Sequence, residues 1–386
     1  MPPPKEAQAP RAVAEQGEVS RRPLVLIINP AGARERGGMG RMVRYLVEAW
    51  EDRTGAPRVE VLDSRGLGSV LFAPFFLART LATMAVRCMT DDVALLHVNM
   101  AENTSVLRKG VVILTAKLLK VPVLLHLHAG LFTDFYRKLP PPARLFTRWV
   151  FHAADRTIVL GETWRHMLSE ELGIDPRRIA VVYNGVPQAP PRAPAAPGTP
   201  CRLLYVGKLR PEKGLSELLQ ALSAARLKKA RWTLTLVGDG ESTRFEKIAA
   251  AHGLSERVRF TGWLEPDAVR ETLAGADVYV LPSHYEGLPL GLLEALSAGL
   301  AVVTTQVGAL PEILRDGESA LLVPHADAGA LEEALFRVVT DGGLRTRLAT
   351  AGRSLYEARF TIAHFTAAIE LQYALTILSH KSGAFT

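Results

Sequence analysis

Short apolar runs alternate with longer helical stretches along most of this 386-residue chain. The runs place Val, Ile and Leu at consecutive positions, as in LVLII (24–28), VALLHV (93–98) and DVYVL (277–281). Strands that are apolar on both faces are typical of parallel sheets covered by helices on each side. The alternation therefore predicts an α/β fold built from doubly wound parallel sheets.

A proline-rich segment, QAPPRAPAAPGTP at 188–200, interrupts this alternation. Repeated prolines are incompatible with a helix or a central strand, so the segment is interpreted as a linker. We expect a Rossmann-like domain at 23–187 and a second one at 201–360, with a ligand cleft between them. The polar, proline-containing residues 1–22 predict a disordered tail.

Composition narrows the class of protein. A hydrophobic fraction of 48% excludes wholesale disorder, and two cysteines exclude a disulfide framework or a cysteine-rich zinc site. The net charge of +7 favours anionic partners such as phosphorylated ligands or acidic lipid. No apolar signal-peptide core follows the N-terminus, so a cytoplasmic location is expected.

The apolar stretch LGSVLFAPFFLARTLATMAV at 67–86 is about as long as a bilayer is thick. Pro74 and Arg79 lie near its centre, and a central Arg costs roughly 2.5–3.5 kcal/mol on insertion scales. We therefore predict a buried or surface-docking helix, with peripheral membrane contact as the alternative.

Two loops combine glycine with positive charge at predicted strand-to-helix turns. Arg36-Gly37-Gly38-Met39-Gly40 follows the first strand, and Gly207-Lys208-Leu209-Arg210-Pro211-Glu212-Lys213-Gly214 follows the first strand of the second half. Backbone N–H groups at such turns can bind phosphate, and lysines can stabilise a diphosphate. The alternatives are a flexible turn for the first loop and a solvated basic loop for the second. The glycine spacing differs from the dinucleotide-binding pattern, so no nicotinamide cofactor is expected.

Two carboxylates flank the start of a predicted helix that is apolar almost all round. Glu286 precedes the helix together with Gly287 and Leu288, and Glu294 is the one charge within LGLLEALSAGL. A buried carboxylate requires hydrogen-bond donors, so Glu294 should accept them from a ligand or from the protein. A purely structural ion pair is the alternative.

Histidines end two predicted strands. His126 and His128 alternate in HLHAG, and we expect them to face opposite sides of one strand, so that they do not share a metal ion. His128, at the carboxyl end, is the better candidate for the cleft, whereas a core histidine is the alternative for each. His97 also ends a strand.

The second half resembles the retaining glycosyltransferases of family 4, which have the two-domain GT-B fold, and its spacing Glu286-x7-Glu294 is the hallmark pair of that family. The first half matches more loosely, through the Gly37–Gly38 loop, Ser105–Lys109 and HLHAG (126–130), and looks like transferases of bacterial surface-polysaccharide pathways. The matching stretches of the second half are YVGKLRPEKG (205–214), LVGDG (236–240), VRFTGWL (258–264), ADVYVLPSHYEGLPLGLLEALSAGLAVV (276–303) and VGALPEILRDGESALLVP (307–324).

The resemblance implies that the second domain binds a nucleoside diphosphate sugar and the first an acceptor. It implies catalytic or donor-binding roles for twelve residues. Lys208 stands where the family often has Arg. A compact ammonium group therefore replaces a planar guanidinium, which can bind phosphate through two parallel hydrogen bonds. The segment 361–386 is implied to form a helix packing back on the first domain. The implied catalytic set is His128, Lys208, Lys213 and Glu286, and the donor-binding set is Gly37, Gly38, Gly207, Trp263, Leu264, Gly287, Leu288 and Glu294.

The leading hypothesis is thus transfer of a sugar, with retention, from a nucleoside diphosphate sugar to a hydroxyl acceptor, without a metal or other cofactor. A lipid-linked glycan of polysaccharide or glycolipid biosynthesis is the expected acceptor, because the apolar 67–86 and the cations Arg108, Lys109, Lys117 and Lys120 indicate contact with an anionic membrane. The alternatives are a nucleotide-sugar epimerase or hydrolase on the same fold, and a non-catalytic nucleotide-sugar binder. No motif indicates nucleic-acid binding.

Overall fold

The computed structural model describes residues 23–32, 37–51, 53–190, 192 and 198–382. The predicted tail at 1–22 lies outside the described residues, as do residues 191 and 193–197 of the predicted linker at 188–200. The strands in the described part are β1 Leu24–Asn29, β2 Arg58–Asp63, β3 Val93–Met100, β4 Val123–Leu127, β5 Arg156–Val159, β6 Ile179–Val181, β7 Cys201–Val206, β8 Trp232–Val237, β9 Val258–Gly262, β10 Val278–Leu281, β11 Ala301–Thr305 and β12 Leu321–Val323.

Helices connect these strands, and short 3-10 turns at 70–72, 176–178 and 211–213 supplement them. The α-helices of the described residues are α1 Gly38–Glu51, α2 Ala73–Thr90, α3 Thr104–Leu118, α4 Phe132–Lys138, α5 Pro141–Ala153, α6 Glu162–Glu170, α7 Leu215–Leu222, α8 Ala225–Lys229, α9 Ser242–Ala251, α10 Pro266–Ala274, α11 Leu290–Ser297, α12 Leu310–Ile313, α13 Ala328–Thr340, α14 Gly342–Arg359 and α15 Ile362–Ser382.

The strands form two six-stranded sheets in the orders β2-β1-β3-β4-β5-β6 and β12-β11-β10-β7-β8-β9. Every pairing of neighbouring strands is parallel. The predicted doubly wound α/β architecture is therefore confirmed.

The strand orders explain where a ligand can bind. In the second sheet the direction of winding reverses between β7 and β10, and in the first sheet between β1 and β3. Ligands of open α/β sheets bind beyond the carboxyl ends of the strands at such reversal points. The loops that follow β1, β3, β7 and β10 are consequently brought to the same cleft.

Burial follows the apolar pattern of the sequence. All six residues of β1 and all five of β4 are buried, as expected for central strands covered on both faces. Helix α11 is buried at each of its eight residues, including Glu294. A helix without a solvent face is the outcome predicted for a stretch that is apolar almost all round.

The last two helices divide between the sheets. Helix α14 packs against α11 and β11 of the second sheet, whereas α15 lies against α1, β3 and β4 of the first. Trp50 of α1 donates a hydrogen bond to Glu370 of α15 (Nε1 to Oε1, 2.5 Å), and Arg53 pairs with the same carboxylate. The C-terminal helix thus packs on the domain opposite to the one that precedes it.

The apolar stretch near 67–86 forms a 3-10 turn followed by α2, which continues to Thr90. Only Ala73, Thr80 and Met84 of α2 are buried. Among the described helices none combines the length and the apolar character that crossing a membrane requires. The stretch is therefore a surface helix on which several large apolar side chains, including Phe75 at 67% exposure, face outwards.

Candidate active site

A cavity of about 420 Å3 lies between the two sheets, at the carboxyl ends of their strands. Eight of the twelve predicted site residues line it. They are Gly37, Gly38, Gly207, Lys208, Lys213, Trp263, Leu264 and Glu286.

The loop after β7 carries the two predicted lysines. Lys208 is exposed, and its carbonyl accepts a hydrogen bond from the Tyr205 hydroxyl (2.8 Å). The loop ends at Gly214, which has φ +69°, and a Cβ added there would lie 1.9 Å from the carbonyl oxygen of Pro282. Only glycine permits this close approach, which holds the lysine loop against the segment after β10.

Glu286 is held in place by two donors. Its Oε1 accepts from Lys213 Nζ and from Ser283 Oγ, each at 2.7 Å. The ion pair is largely screened from solvent, since the side chains of Lys213 and Glu286 are 22% and 12% exposed. Both groups border the main cavity, so this pair supplies an oriented cation and an oriented carboxylate at one place.

Helix α1 points its N-terminus into the cleft. Gly38 is its first residue, and a Cβ added at Gly38 would meet nothing within 4 Å. The first N–H groups of a helix lack partners within the helix and carry a partial positive charge, which favours an anion. Arg41 follows in the first turn and also borders the cavity.

Glu294 is placed differently from the other predicted residues, because it lines neither the main cavity nor the second one described below. Its Oε1 accepts from the Tyr45 hydroxyl (2.8 Å) and its Oε2 from Arg41 (3.2 Å), both on α1 of the other domain. Burial and the nearby Glu294 carboxylate raise the pKa of Tyr45 well above its usual value, so the phenol stays a donor. Glu294 therefore anchors α1 to α11 in this structure.

A second cavity, of about 320 Å3, adjoins the first and is lined by His128, Gly287 and Leu288, the remaining predicted residues. Asn184 lies there too: its Nδ2 donates to the Leu288 carbonyl (2.9 Å), while its Oδ1 is buried with no partner among the described residues. A Cβ added at Gly130 would lie 2.7 Å from the Glu286 carbonyl carbon, so the HLHAG loop packs directly on the Glu286–Gly287 backbone.

The expectation that His126 and His128 face opposite sides of their strand was wrong. Their ring centroids lie 3.9 Å apart. Residues two positions apart on a strand share a face, which the alternation of side chains requires. Burial, with a smaller contribution from nearby His97, lowers the pKa of His128 to about 3, so its ring is neutral near pH 7. In the part of the chain that the structure describes, no group of three or more His, Cys, Asp or Glu is arranged to hold a metal ion.

A second expectation concerned the basic stretch of α3. Lys109 is fully buried, and its Nζ donates to Ser64 Oγ (2.6 Å) and to the Ile28 carbonyl (3.3 Å). Lys117 pairs with Asp155 at 3.1 Å. Lys109 therefore cannot contact a membrane, and the assignment of Lys109 to that surface was wrong.

Several cavity residues were not identified from the sequence. Arg41, Arg44 and Tyr285 border the main cavity, and Asn184 borders the second. The sequence did contain a signal for Arg41. It is a cation in the first turn of a helix that follows two glycines, and helix N-termini of this kind commonly bind phosphate. Asn184 follows a predicted strand but lies in no recognisable motif.

Comparison with known families matches both halves of the chain. Residues 36–189 match the model described as Glycosyltransferase Family 4, and residues 190–355 match Glycosyl transferases group 1. Glycogen synthase of Mycobacterium tuberculosis is 33% identical over 229 residues, covering 58% of this chain and 55% of that protein. The lipopolysaccharide core biosynthesis glycosyltransferase LpsE of Rhizobium meliloti is 37% identical over 160 residues, covering 41% and 45%. The chain thus spans about half the length of the curated relatives it matches.

Solved structures show the same architecture over nearly the whole chain. Sucrose-phosphate synthase of Thermosynechococcus elongatus superimposes with a TM-score of 0.76 at 20% identity, covering 93% of this chain and all of that one (100%). HepE of Anabaena, solved with UDP, gives 0.70 at 16% identity, covering 91% and 99%. The expected GT-B fold is confirmed. The two family matches, which together span residues 36–355, identify this chain as a glycosyltransferase with a family 4 first domain and a group 1 second domain.

Proposed function

We propose that the protein is a retaining glycosyltransferase that moves a sugar from a nucleoside diphosphate sugar to a hydroxyl acceptor. The observation that carries the proposal is the main cavity, where the N-terminus of α1 faces the lysine loop and the Lys213–Glu286 pair. HepE, which has the same fold, was solved in complex with UDP, and this supports a nucleoside diphosphate as the class of ligand. The names of relatives such as LpsE support a role in bacterial polysaccharide or glycolipid synthesis.

In this proposal the diphosphate lies between the two domains. Lys208 and Lys213 meet it from one side, and the N–H groups at Gly37 and Gly38 meet it from the other. These donors are in place before the reaction, so they stabilise the charge that develops as the sugar–phosphate bond breaks. Trp263 and Leu264 contact the base, and Glu294, which borders neither cavity, holds Arg41 at the edge of the main cavity beside the ribose and the diphosphate.

The sugar then lies near the second cavity, with His128, Glu286 and the amides of Gly287 and Leu288 around it. We propose that the acceptor attacks from the face that the diphosphate leaves, and that the departing phosphate oxygen takes the acceptor proton. Glu286 Oε1 already accepts two hydrogen bonds, which disfavours this carboxylate as a covalent nucleophile. The residues around the sugar bind and orient it, and the reaction proceeds without a metal ion.

The test begins with a thermal-shift screen of nucleoside diphosphate sugars, because a ligand that binds the folded state raises its stability by mass action. Transfer is then measured for the parent, Lys213→Ala and Glu294→Ala, with Lys229→Ala as the matched control on exposed α8. We expect both site variants to lose at least about tenfold in rate, roughly 1.4 kcal/mol, whereas the control retains the parental rate.

Smaller losses in both site variants would contradict the assignment of residues. Conversion of the donor in the absence of any acceptor would instead support the epimerase or hydrolase. Retention is tested by the anomeric configuration of the product, and metal independence by transfer in the presence of excess EDTA.

We propose further that the acceptor is a lipid-linked glycan, presented at an anionic membrane. Apolar side chains stand exposed on one side of the first domain, on and before α2 and on α3 and α5. Lys120 is exposed next to α3, and Arg144 and Arg148 of α5 add positive charge. The exposed apolar residues are Leu67, Leu71, Phe72, Phe75, Val86, Met89, Leu107, Leu114, Leu118, Leu145 and Trp149.

Sedimentation with vesicles tests this contact. We expect the protein to bind vesicles that contain anionic lipid, and the double variant Leu71→Ser, Phe75→Ser to bind less, since it removes two side chains that are 84% and 67% exposed. The control is Leu378→Ser, at 62% exposure on α15. Equal binding of parent and double variant would contradict the proposed surface.

A further inference from the structure

A further cavity, of about 360 Å3, lies in the first domain beyond the carboxyl ends of β3 and β4. Glu102 and Asn103, which precede α3, line one side of it, and residues between Leu131 and Leu139, in and around α4, line the other. The volume is within the range of roughly 300–1,000 Å3 that is usual for ligand sites. We call this cavity the α4 pocket.

The α4 pocket adjoins the site already described. Glu102 lines both the α4 pocket and the main cavity, so the two share a wall. On the other side of the pocket, Leu131 directly follows Gly130, whose backbone packs on that of Glu286. The pocket therefore lies beside the position that the donor sugar takes in the proposed function.

Part of the lining is apolar and well supported. Leu131, Phe135 and Leu139 are each half-buried at the edge of the pocket. The Phe135 ring lies against Phe132, which is fully buried, with 5.9 Å between the ring centroids. An aromatic ring that is supported on one side offers a large and rigid apolar surface to a ligand on the other.

The charged part of the lining consists of two carboxylates and one ammonium group. Neither Glu102 nor Asp134 makes a hydrogen bond or an ion pair with any other described residue. Lys138 stands four residues after Asp134 on α4, yet these two described side chains form no ion pair. The pocket thus carries a net charge of −1 and carboxylate oxygens that are available as hydrogen-bond acceptors.

Asn103 adds an amide to the pocket. It occupies the N-cap position of α3, where an Asn side chain commonly accepts from the first N–H groups of the helix, but its side chain makes no such bond. Its backbone has φ +61° and ψ −137°, which is unfavourable for a residue with a side chain. The amide therefore does not cap the helix and borders the pocket instead.

This lining matches the chemistry of an uncharged sugar. A hexose carries hydroxyl donors around its edge and C–H groups on its faces, which suit the carboxylates and the Phe135 ring respectively. A phosphate or a uronic acid would bring a like charge to two carboxylates that a single ammonium group only partly offsets. Repulsion of this kind is a common source of specificity.

We propose that the α4 pocket binds the acceptor as an uncharged sugar unit, with Phe135 against its face and Glu102 and Asp134 accepting from its hydroxyl groups, and that these carboxylates discriminate against anionic sugars. The inference rests on the proposed function for the role of this sugar as acceptor, but the binding and its charge preference are properties of the free protein. Glu102, which both cavities share, then holds the acceptor next to the donor.

The first measurement is binding of simple glycosides to the ligand-free, full-length protein, by saturation-transfer NMR. The probes are the methyl glycosides of glucose, galactose and mannose, each paired with the methyl glycoside of its uronic acid. The members of a pair differ by one negative charge. Where a pair binds, we expect the neutral member to bind about fivefold more tightly, which is the effect of one like charge about 4 Å away in water.

Three variants locate the binding in the α4 pocket. Phe135→Leu removes the ring and should weaken both members of a pair alike. Asp134→Asn breaks no hydrogen bond of the free protein and should remove most of the preference. The double variant Glu102→Gln, Asp134→Asn leaves only the charge of Lys138, so the uronic acid should bind at least as tightly as the neutral sugar. The control is Glu51→Gln, an exposed carboxylate at the end of α1 that borders neither the main cavity nor the α4 pocket, and it should keep the parental preference.

Two results would overturn the inference at this stage. One is the absence of binding for every neutral glycoside, and the other is a charge preference that stays the same in both carboxylate variants. Because no donor is present, this measurement is independent of whether the protein transfers sugar.

The second measurement is transfer kinetics, with the tightest-binding neutral glycoside as acceptor. Asp134→Asn and Phe135→Leu are expected to raise the acceptor KM at least about threefold while the donor KM stays within about twofold, as for loss of binding that is made equally in the ground state and the transition state. A protein that transfers sugar with an acceptor KM unchanged in both variants would overturn the inference and leave the proposed function standing. If the glycosides bind with the expected preference but no donor is ever turned over, the proposed function fails and the α4 pocket stands as a sugar-binding site.

Discussion

Glu312 of α12 reaches from the second domain to the start of α6 in the first. Its carboxylate accepts from the backbone N–H groups of Glu162 (2.8 Å) and Thr163 (3.0 Å) and from the Thr163 hydroxyl (2.8 Å). The first N–H groups of α6 have no partner within the helix, so a carboxylate from the other domain completes its N-terminus. We predict that Glu312→Ala opens the cleft.

The magnitude follows from these contacts. Hydrogen bonds to a charged group contribute about 1.5–3 kcal/mol, and a negative charge at a helix N-terminus adds about 0.3–1 kcal/mol. The contact is near the surface, which reduces both values, so about 2 kcal/mol is a reasonable total. That corresponds to a change of about 30-fold in the ratio of closed to open protein. Thr163→Val removes one of the three hydrogen bonds and should lower the free energy of the domain contact by about a third as much as Glu312→Ala.

Small-angle X-ray scattering without ligand measures the opening, and kcat/KM measures its consequence. Glu312→Ala should lower kcat/KM, by close to 30-fold where the closed form is the minor state of the parent and by less where the parent is mostly closed, and it should increase the radius of gyration most where the parent is moderately closed. Glu318→Ala is the control, because Glu318 is exposed in the same domain and its carboxylate pairs with Arg315 of that domain at 3.7 Å. If Glu312→Ala and Glu318→Ala behave alike in both measurements, the carboxylate does not hold the domains together.

Three further substitutions test other parts of the structure. Gly130→Ala places a Cβ 2.7 Å from the Glu286 carbonyl carbon. We expect kcat/KM to fall at least about tenfold while the melting temperature changes little. Normal activity would show that the two backbone segments can move apart without loss of function. Ser283→Ala removes one of two donors to Glu286 and should lower kcat about fivefold, or roughly 1 kcal/mol, without affecting expression or secondary structure. Burial opposes ionisation of Asp277, but three hydrogen bonds from Arg202 hold its pKa below the usual value. Ionised Asp277 therefore stabilises the folded protein above about pH 4, and this stabilisation is lost as the pH falls below that value. In urea unfolding, Asp277→Asn should have a lower free energy of unfolding at pH 7, and this free energy should fall less steeply in acid than that of the parent.

The strands and the main cavity could be predicted because their signals are local. Runs of Val, Ile and Leu specify buried strands, and the loops after β7 and β10 must meet once the sheet is parallel. The partners of Glu294 could not be predicted in the same way. Arg41 and Tyr45 precede Glu294 by 253 and 249 positions in the sequence. They lie on a helix whose position depends on how the two domains pack. The burial of Lys109 is a similar case, because its acceptors lie on β1 and after β2.

The structure also changes how the net charge of +7 is understood. Among the described residues that line the main cavity, five cationic side chains face four anionic ones, so the cavity carries little excess charge. Recognition of a diphosphate must then depend on where each donor points. Lys213 is held by Glu286, and Arg41 by Glu294, before any ligand is present. Such pairing uses only part of the donor capacity of each cation and fixes its direction, which lowers the entropy lost on binding. The two hallmark carboxylates can therefore serve the site even where they do not touch the sugar, by orienting the cations that bind its diphosphate.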